Sequence, residues 1–360
     1  MIKHLKKLDW VLAASAISLV SFGLVSLYAS GGAGGDEFLF KKQVLWLVMG
    51  FFLMVVISFF DYRILKNYRS PILVLYGFSL ILLFGLLVFG ANIRGTESWY
   101  RIGGITIEPV EFVKISIVLL FAKYFSMRHI EMYRFRHIIT SGLYMLLPAS
   151  LVFIQSEVGS VLILISTWIG VMIIAGIKIK HLAILIVAGA VLLSVGWNFA
   201  FQDYQKDRLI SFINPGSDPR GSGYNILQST IAVGSGGILG RGIGEGTQTQ
   251  LGFLPEAQTD FIFAAITEEL GLVGVFILLS CFAFFSRKVM DISRSSSNNF
   301  ARLVVAGFSI MVLSQMSINI GMTLGLLPIT GIPLPFVSYG GSSLISLFAM
   351  LGILQSIKIN

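Results

Sequence analysis

Cysteine occurs once in this 360-residue chain, as Cys281 inside an apolar run, which excludes an intrachain disulfide and leaves the redox compartment open. In that setting the thiol is expected to be a buried packing residue. Histidine is nearly as scarce, with only His4, His129, His137 and His181. Charged residues make up 12% of the chain against 55% apolar residues, and the mean hydropathy is +0.85. Such a composition argues against a soluble domain and for a polytopic membrane protein. The formal charge of +8 comes from basic residues scattered between apolar runs, without the aromatic-interleaved patch of an RNA binder. Tandem repeats are absent, and low complexity is confined to Ser295-Ser-Ser-Asn-Asn299, an ordinary connector.

What the chain has in quantity is apolar sequence. Crossing a bilayer core takes about 20 helical residues. Runs of that kind lie near 10–29, 43–60, 71–90, 110–125, 182–201, 260–286, 302–322 and 343–357. The first is kept as a span because no convincing small-residue cleavage site accompanies it. The run from Ile138 to Ile177 is too long for one span and is broken by Gln155-Ser-Glu-Val-Gly159 into two. The expectation is an all-α polytopic membrane protein of about ten transmembrane helices, forming one integral-membrane domain over 1–360 with both termini on the same side.

Cytoplasmic loops carry an excess of Lys and Arg. With the N-terminus inside, sixteen basic residues fall on the cytoplasmic side, among them Lys3, Arg63, Arg134, Lys178 and Lys358. Eight fall outside: Lys41, Lys42, Arg94, Arg101, Lys206, Arg208, Arg220 and Arg241. The bias favours both termini in the cytoplasm. It puts two polar stretches outside, residues 91–109 and a large loop at about 202–259 between spans seven and eight. All four histidines are then cytoplasmic, which excludes a His/Cys metal cluster on the outer face. Between Gly216 and Gly252 lie eleven glycines, including Gly234-Ser-Gly-Gly237 and Gly240-Arg-Gly-Ile-Gly-Glu-Gly246. They suit either close approach of backbone to a ligand with positive φ, or plain flexibility.

Ionisable residues in or beside a span are functional candidates by default. Glu108-Pro-Val-Glu-Phe-Val-Lys114 opens the fourth span, with Pro109 at its first turn and Glu111 and Lys114 at i, i+3 on one face. That pair either serves the site or merely neutralises itself and fixes packing. Asp260 stands at the outer end of the eighth span, where it, or Thr259, could instead be only a helix cap. Glu268 and Glu269 lie about 12 Å deeper along the axis and are expected to pack against polar groups of neighbouring spans. Glu157 is a further outside-facing carboxylate. From Leu324 to Ser342, three prolines and four glycines disfavour a helix; such backbone at membrane depth lines a polar site or is simply an outer loop.

Several of these segments, in this order, resemble the SEDS family, named for shape, elongation, division and sporulation. They are Gly223-Tyr-Asn-Ile-Leu-Gln-Ser229, Phe253-Leu-Pro-Glu256, Thr259-Asp-Phe-Ile-Phe-Ala264, Glu268-Glu-Leu-Gly271, Leu326-Leu-Pro-Ile-Thr-Gly331 and Ser338-Tyr-Gly-Gly-Ser342, with Ser98-Trp-Tyr-Arg-Ile102 ahead of the fourth span. The resemblance spans the whole chain and is specific in combination. It implies a peptidoglycan glycosyltransferase that polymerises lipid II, a disaccharide-pentapeptide on undecaprenyl diphosphate, on the outer face of the membrane for elongation and rod shape. It also implies a class B penicillin-binding protein as partner. Asp260 matches the family's essential aspartate, and Glu111 and Lys114 match its functional acid and base in the fourth span. One departure is Gln258, where the family usually has a histidine; no role of that histidine carries over.

The chemistry implied is attack by a GlcNAc 4-hydroxyl on an anomeric carbon bearing diphosphate. Asp260 is the candidate general base, and diphosphate can leave without protonation, so the second carboxyl of glycosidases is not required. Positive charge for the leaving group would come from Arg101, Lys114, Arg208 or Arg241; whether a divalent cation assists is left open. Two rivals remain at this stage. A lipid II flippase would place its charges near the midplane and show inverted repeats, whereas most candidate charges here gather outside. A non-catalytic scaffold for the penicillin-binding protein would tolerate replacement of Asp260.

Overall fold

The computed structural model describes residues 2–30, 37–93, 96–103, 105–128, 135–199, 201–219 and 221–360. Arg94, His129, Arg134 and Arg220, which entered the topology argument, lie outside the described residues. The helices in chain order are α1 (Ile2–Leu5), α2 (Trp10–Ser30), α3 (Phe38–Ser58), α4 (Arg63–Asn67), α5 (Ser70–Phe89), α6 (Val110–Ser126), α7 (Phe135–Ile154), α8 (Val158–Ile174), α9 (Ile179–Phe199), α10 (Asp203–Ile213), α11 (Ser222–Ser235), α12 (Thr247–Gln250), α13 (Ile262–Ser295), α14 (Asn299–Thr323) and α15 (Gly341–Ile359). Eight of these are long and apolar enough to cross a membrane; α8 is a shorter apolar helix of 17 residues, and α6, also of 17 residues, carries Glu111, Lys114 and Lys123. The chain is a multi-pass membrane protein: in lipid, backbone polar groups must be satisfied within the segment, and an apolar helix does that.

Burial sorts the helices. Fourteen of the 17 residues of α6 are buried, including both of its lysines, so α6 is the central helix. It packs against α5, α8 and α14, while α15 lies along α3 and α13 along α2. None of the residues of α9 is buried, which suits an apolar helix exposed largely to lipid at the edge of the bundle.

The two polar stretches are more ordered than connectors. The strands β1 (Ala91–Ile93), β2 (Thr96–Ile102) and β3 (Ile105–Ile107) form a three-stranded antiparallel sheet, and the other regular elements among the described residues are helical. The Tyr100 hydroxyl of β2 donates to the Leu82 carbonyl of α5 (2.7 Å) and lies so close to Gly85 that a Cβ there would come within 2.4 Å of it. The expected loop at about 202–259 contains α10, α11 and α12. The short connector at Ser295–Asn299 is shorter than read from sequence, because α13 runs on to Ser295 and α14 begins at Asn299.

Some glycines of this region lie against protein backbone. Helix α13 is interrupted at Gly271 (φ 64°, ψ −165°), a conformation open essentially to glycine alone. The break frees backbone groups, and the turn at 236–242 pairs with them. Arg241 and Gly242 N–H donate to the carbonyls of Glu268 (3.0 Å) and Glu269 (3.1 Å), and Leu272 and Val273 N–H donate to those of Gly237 (3.0 Å) and Ile238 (3.1 Å). Such proximity requires Gly240, whose Cβ would meet the Glu269 oxygen at 2.1 Å.

Candidate active site

Asp260 lies two residues before α13, half-buried. The N-cap residue of α13 is Phe261, which makes no side-chain capping bond, and Thr259 Oγ1 donates to Glu256 Oε2 (2.9 Å). The non-helical segment between α14 and α15 instead frames Asp260 from below. Gly331, at φ 71°, lies against it, with a Cβ there 3.5 Å from Asp260 Oδ2. Asn319, fully buried in α14, donates through Nδ2 to the carbonyls of Asp260 (2.8 Å) and Ile332 (2.7 Å). Ser338 Oγ donates to the Thr259 carbonyl (2.6 Å), and Tyr339 N–H to that of Gln258 (3.0 Å).

That segment is itself held at depth. Val337 presses its carbonyl onto α2 at Gly23, where a Cβ would sit 1.9 Å from the oxygen. The buried Gln43 amide of α3 satisfies two of its backbone groups, donating to Ser338 O (3.2 Å) and accepting from Gly340 N (3.3 Å). Phe336, at φ 65°, packs its ring on Phe285 (5.1 Å) and Phe348 (6.0 Å). Non-helical backbone is tolerated at Leu334–Ser338, where protein buries it.

Glu111 and Lys114 meet as the i, i+3 spacing requires, at 2.7 Å, with side chains 3% and 4% exposed. The other oxygen of Glu111 accepts from Ser346 Oγ of α15 (3.0 Å). The pair therefore binds α6 to α15 as well as neutralising itself. Glu157 lies half-buried at the start of α8, where its carboxyl accepts from Ser160 Oγ. Burial pushes the Glu108 carboxyl well above the ordinary carboxylate range, with the charges of Glu157 and Glu111 adding to it.

Arg101 on β2 and Arg241 in the turn over the Gly271 break have exposed side chains, and Arg208 on α10 is partly exposed. Glu268 departs from expectation. It accepts from Gln248 N (2.8 Å), Thr249 N (3.2 Å) and Thr249 Oγ1 (2.8 Å), so it anchors α12 of the outer loop, and does not pair with a neighbouring span. Among the described residues, no group of three or more His, Cys, Asp or Glu side chains is arranged to hold a metal ion. Asn319 and Gln43 escaped the sequence reading, and Ser338 entered it only as part of a motif, without a role. Their signal was present as single amides and hydroxyls in apolar or Pro-Gly surroundings, where an unpaired polar group is costly.

A family model described as "Cell cycle protein", FTSW_RODA_SPOVE, matches residues 6–360. The chain is 33% identical to the peptidoglycan glycosyltransferase MrdB of Escherichia coli strain K12 over 350 residues, covering 97% of this chain and 93% of that protein. It is 33% identical to the stage V sporulation protein E of Bacillus subtilis strain 168 over 361 residues, covering 97% and 96%. A solved structure described as "Structural coordination of polymerization and crosslinking by a peptidoglycan synthase complex" superposes with a TM-score of 0.81 at 31% identity, covering 98% and 97% of the two chains. The rod shape determining protein RodA of Thermus thermophilus superposes with a TM-score of 0.72 at 27% identity, covering 98% and 96%. A polytopic helical membrane protein with this motif set is a SEDS-class protein. This chain belongs to the FtsW/RodA/SpoVE family.

Proposed function

We propose that this chain is a peptidoglycan glycosyltransferase that polymerises lipid II into glycan strands on the outer face of the cytoplasmic membrane, in the service of elongation and rod shape. It works with a class B penicillin-binding protein that crosslinks the product. Ten helices cross the membrane, both termini are cytoplasmic, and the chain forms one integral-membrane domain with its extracytoplasmic loop at about 202–259.

The observation that carries this reading is the frame around Asp260, in which Asn319, Gly331 and Ser338 hold a carboxylate-bearing turn at the mouth of α13. Asp260 accepts the proton of the acceptor sugar's 4-hydroxyl as the oxygen attacks the donor's anomeric carbon. The O4–C1 bond forms, the bond from C1 to the phosphate oxygen breaks, and undecaprenyl diphosphate leaves with the electron pair. Arg101, Arg208 and Arg241 supply the positive charge that the departing diphosphate needs. Glu111 and Lys114 form the buried floor, joining α6 to α15 beneath the substrate.

The test compares glycan-strand formation from lipid II by the native chain and by Asp260→Ala, each purified with the penicillin-binding protein. Loss of polymer, with folding and partner binding intact, is expected. Undiminished polymer from the variant would remove Asp260 as base, and no polymer from either form would favour a flippase or a scaffold.

A further inference from the structure

Helix α6 carries a second buried lysine, Lys123, in its last turn, at the opposite end from Glu111 and Lys114. Lys114 has a carboxylate at 2.7 Å; Lys123, only 8% exposed, has none. An ammonium has three N–H donors, and among the described residues the one acceptor for Lys123 is the Lys66 carbonyl of α4. The same α4 meets the end of the chain, where Arg63 donates to the Asn360 carbonyl. Met127 lies at i+4 from Lys123, on the same face of α6, and accepts from Arg69 Nη2 at 3.9 Å. Lys66 and Arg69 are exposed, and both act electrostatically on the Lys123 ammonium. Three cations therefore converge at one corner, and none of them pairs with a carboxylate among the described residues. Asp61, the acidic residue nearest to Lys66 in sequence, accepts instead from the Arg63 N–H (2.9 Å). The neighbouring Arg128 is already engaged, its guanidinium 4.3 Å from the centroid of the Tyr124 ring. The C-terminus of α6 supplies only about half a negative charge. Against it stands the N-terminus of α5, which no side chain caps and which adds positive potential.

We propose that Lys66, Arg69 and Lys123 bind the phosphodiester headgroup of an anionic phospholipid of the phosphatidylglycerol class, at the junction of α4, α5 and α6. Buried positive charge without a counter-ion is costly, and a phosphate relieves that cost from outside the chain. A phosphodiester accepts from a guanidinium and from ammonium N–H groups together, in charge-assisted bonds. The surroundings fit a lipid and not a soluble anion. Basic pockets between spans at a membrane face hold anionic headgroups, and α5 runs from this corner as a span. Tyr68, Leu73 and Val74, in and just before the first turn of α5, are 63%, 47% and 69% exposed, an apolar strip for the acyl chains. A bound headgroup draws together three helix ends that carry like charge, and so stabilises the folded chain by mass action. The site depends neither on Asp260 nor on which side of the membrane is cytoplasmic.

Native mass spectrometry of the purified full chain in detergent, titrated with phosphatidylglycerol or phosphatidylcholine, counts bound lipid without any need for activity. Phosphatidylglycerol is expected to bind more tightly than phosphatidylcholine by roughly tenfold or more, and to raise the unfolding midpoint of the native chain. Arg69→Gln and Lys66→Gln, both at exposed positions, are each expected to weaken binding about fivefold, the equivalent of about 1 kcal/mol per cation. Lys123→Met keeps the buried volume, and is expected to weaken binding at least as much and to abolish the rise in midpoint. Arg294→Gln removes one exposed charge from another corner, where Arg294 faces Asp291 at 3.8 Å, and is expected to leave binding unchanged. Equal affinity for the two lipids overturns the site. An equal loss in Arg294→Gln also overturns it, because the attraction is then one of net charge. Displacement of the lipid by glycerol phosphate at the same concentration overturns the assignment in favour of a soluble phosphate, and displacement by a glutamate-rich peptide overturns it in favour of a protein partner. If Lys123→Met does not fold, the two exposed variants decide.

Discussion

Asn319 donates through one nitrogen to the carbonyls of Asp260 and Ile332, at 2.8 and 2.7 Å, and so joins the mouth of α13 to the Pro-Gly segment from inside α14. Asn319→Leu keeps much of the volume and removes both bonds. An unsatisfied buried carbonyl costs about 1–3 kcal/mol, so thermal unfolding in detergent should show a clear loss of stability. Polymerisation should fall further than that loss explains, because Asp260 is no longer held. A variant with native kcat would show that Asn319 only stabilises.

Gly271 and Gly240 make a second junction, where the broken α13 accepts the outer loop. Gly271→Ala meets the strained φ of 64° and also places a Cβ 2.3 Å from Gly240 N. The backbone strain alone costs about 1–3 kcal/mol. Gly240→Ala should be similarly harmful, and the double variant less so than the sum, since the two glycines share one contact. Unfolding midpoints of the two single variants and the double check this.

Glu268 anchors α12 through charge-assisted bonds from Gln248, Thr249 and Thr247. Hydrogen bonds to a charged group contribute about 1.5–3 kcal/mol each. Glu268→Ala should therefore release residues 247–250, read as faster protease cleavage there with the membrane helices still folded.

Lys114→Met leaves Glu111 as a buried, unpaired carboxylate against Ser346, and breaking such a pair costs about 3–5 kcal/mol. Adding Glu111→Met should return most of the stability. It should not return polymerisation if the pair shapes the floor of the site. A double-mutant cycle on stability and rate together separates the two contributions.

The two ends of the chain are joined where Asp9 accepts from Lys358 and from Leu12 N–H, and its backbone bonds Gln355. Burial works against ionisation of Asp9, but Lys358 and the Leu12 N–H outweigh it and hold the carboxyl below its ordinary value of 3.8. A folded pKa below the unfolded one gives stability that is fully present above the ordinary value and is lost as pH falls through the depressed one. Acid titration of unfolding should therefore show a component that Asp9→Asn abolishes.

The apolar runs, the interruption at Gln155–Gly159 and the helix start at Pro109 were legible in the sequence, because span length and helix entry are local requirements of backbone in lipid. The Glu111–Lys114 contact was legible for the same reason: i, i+3 on one helix is a fixed distance. The sheet at 91–107 and the helices inside the outer loop were not, since short polar elements gain their stability from what they pack on. Tyr100 needs Gly85, and α12 needs Glu268, each in a different element.

Sequence alone determined that this is a polytopic helical protein of the FtsW/RodA/SpoVE family, and it singled out Asp260, Glu111 and Lys114. Tertiary structure decided what each polar group meets. Glu268 turns to the loop, the glycines close on a broken helix, and Asn319 clamps Asp260. It also brought Ser346 of α15 onto the buried Glu111 of α6, 235 positions earlier in the chain. Partners of that kind follow from helix packing, which covalent spacing does not record.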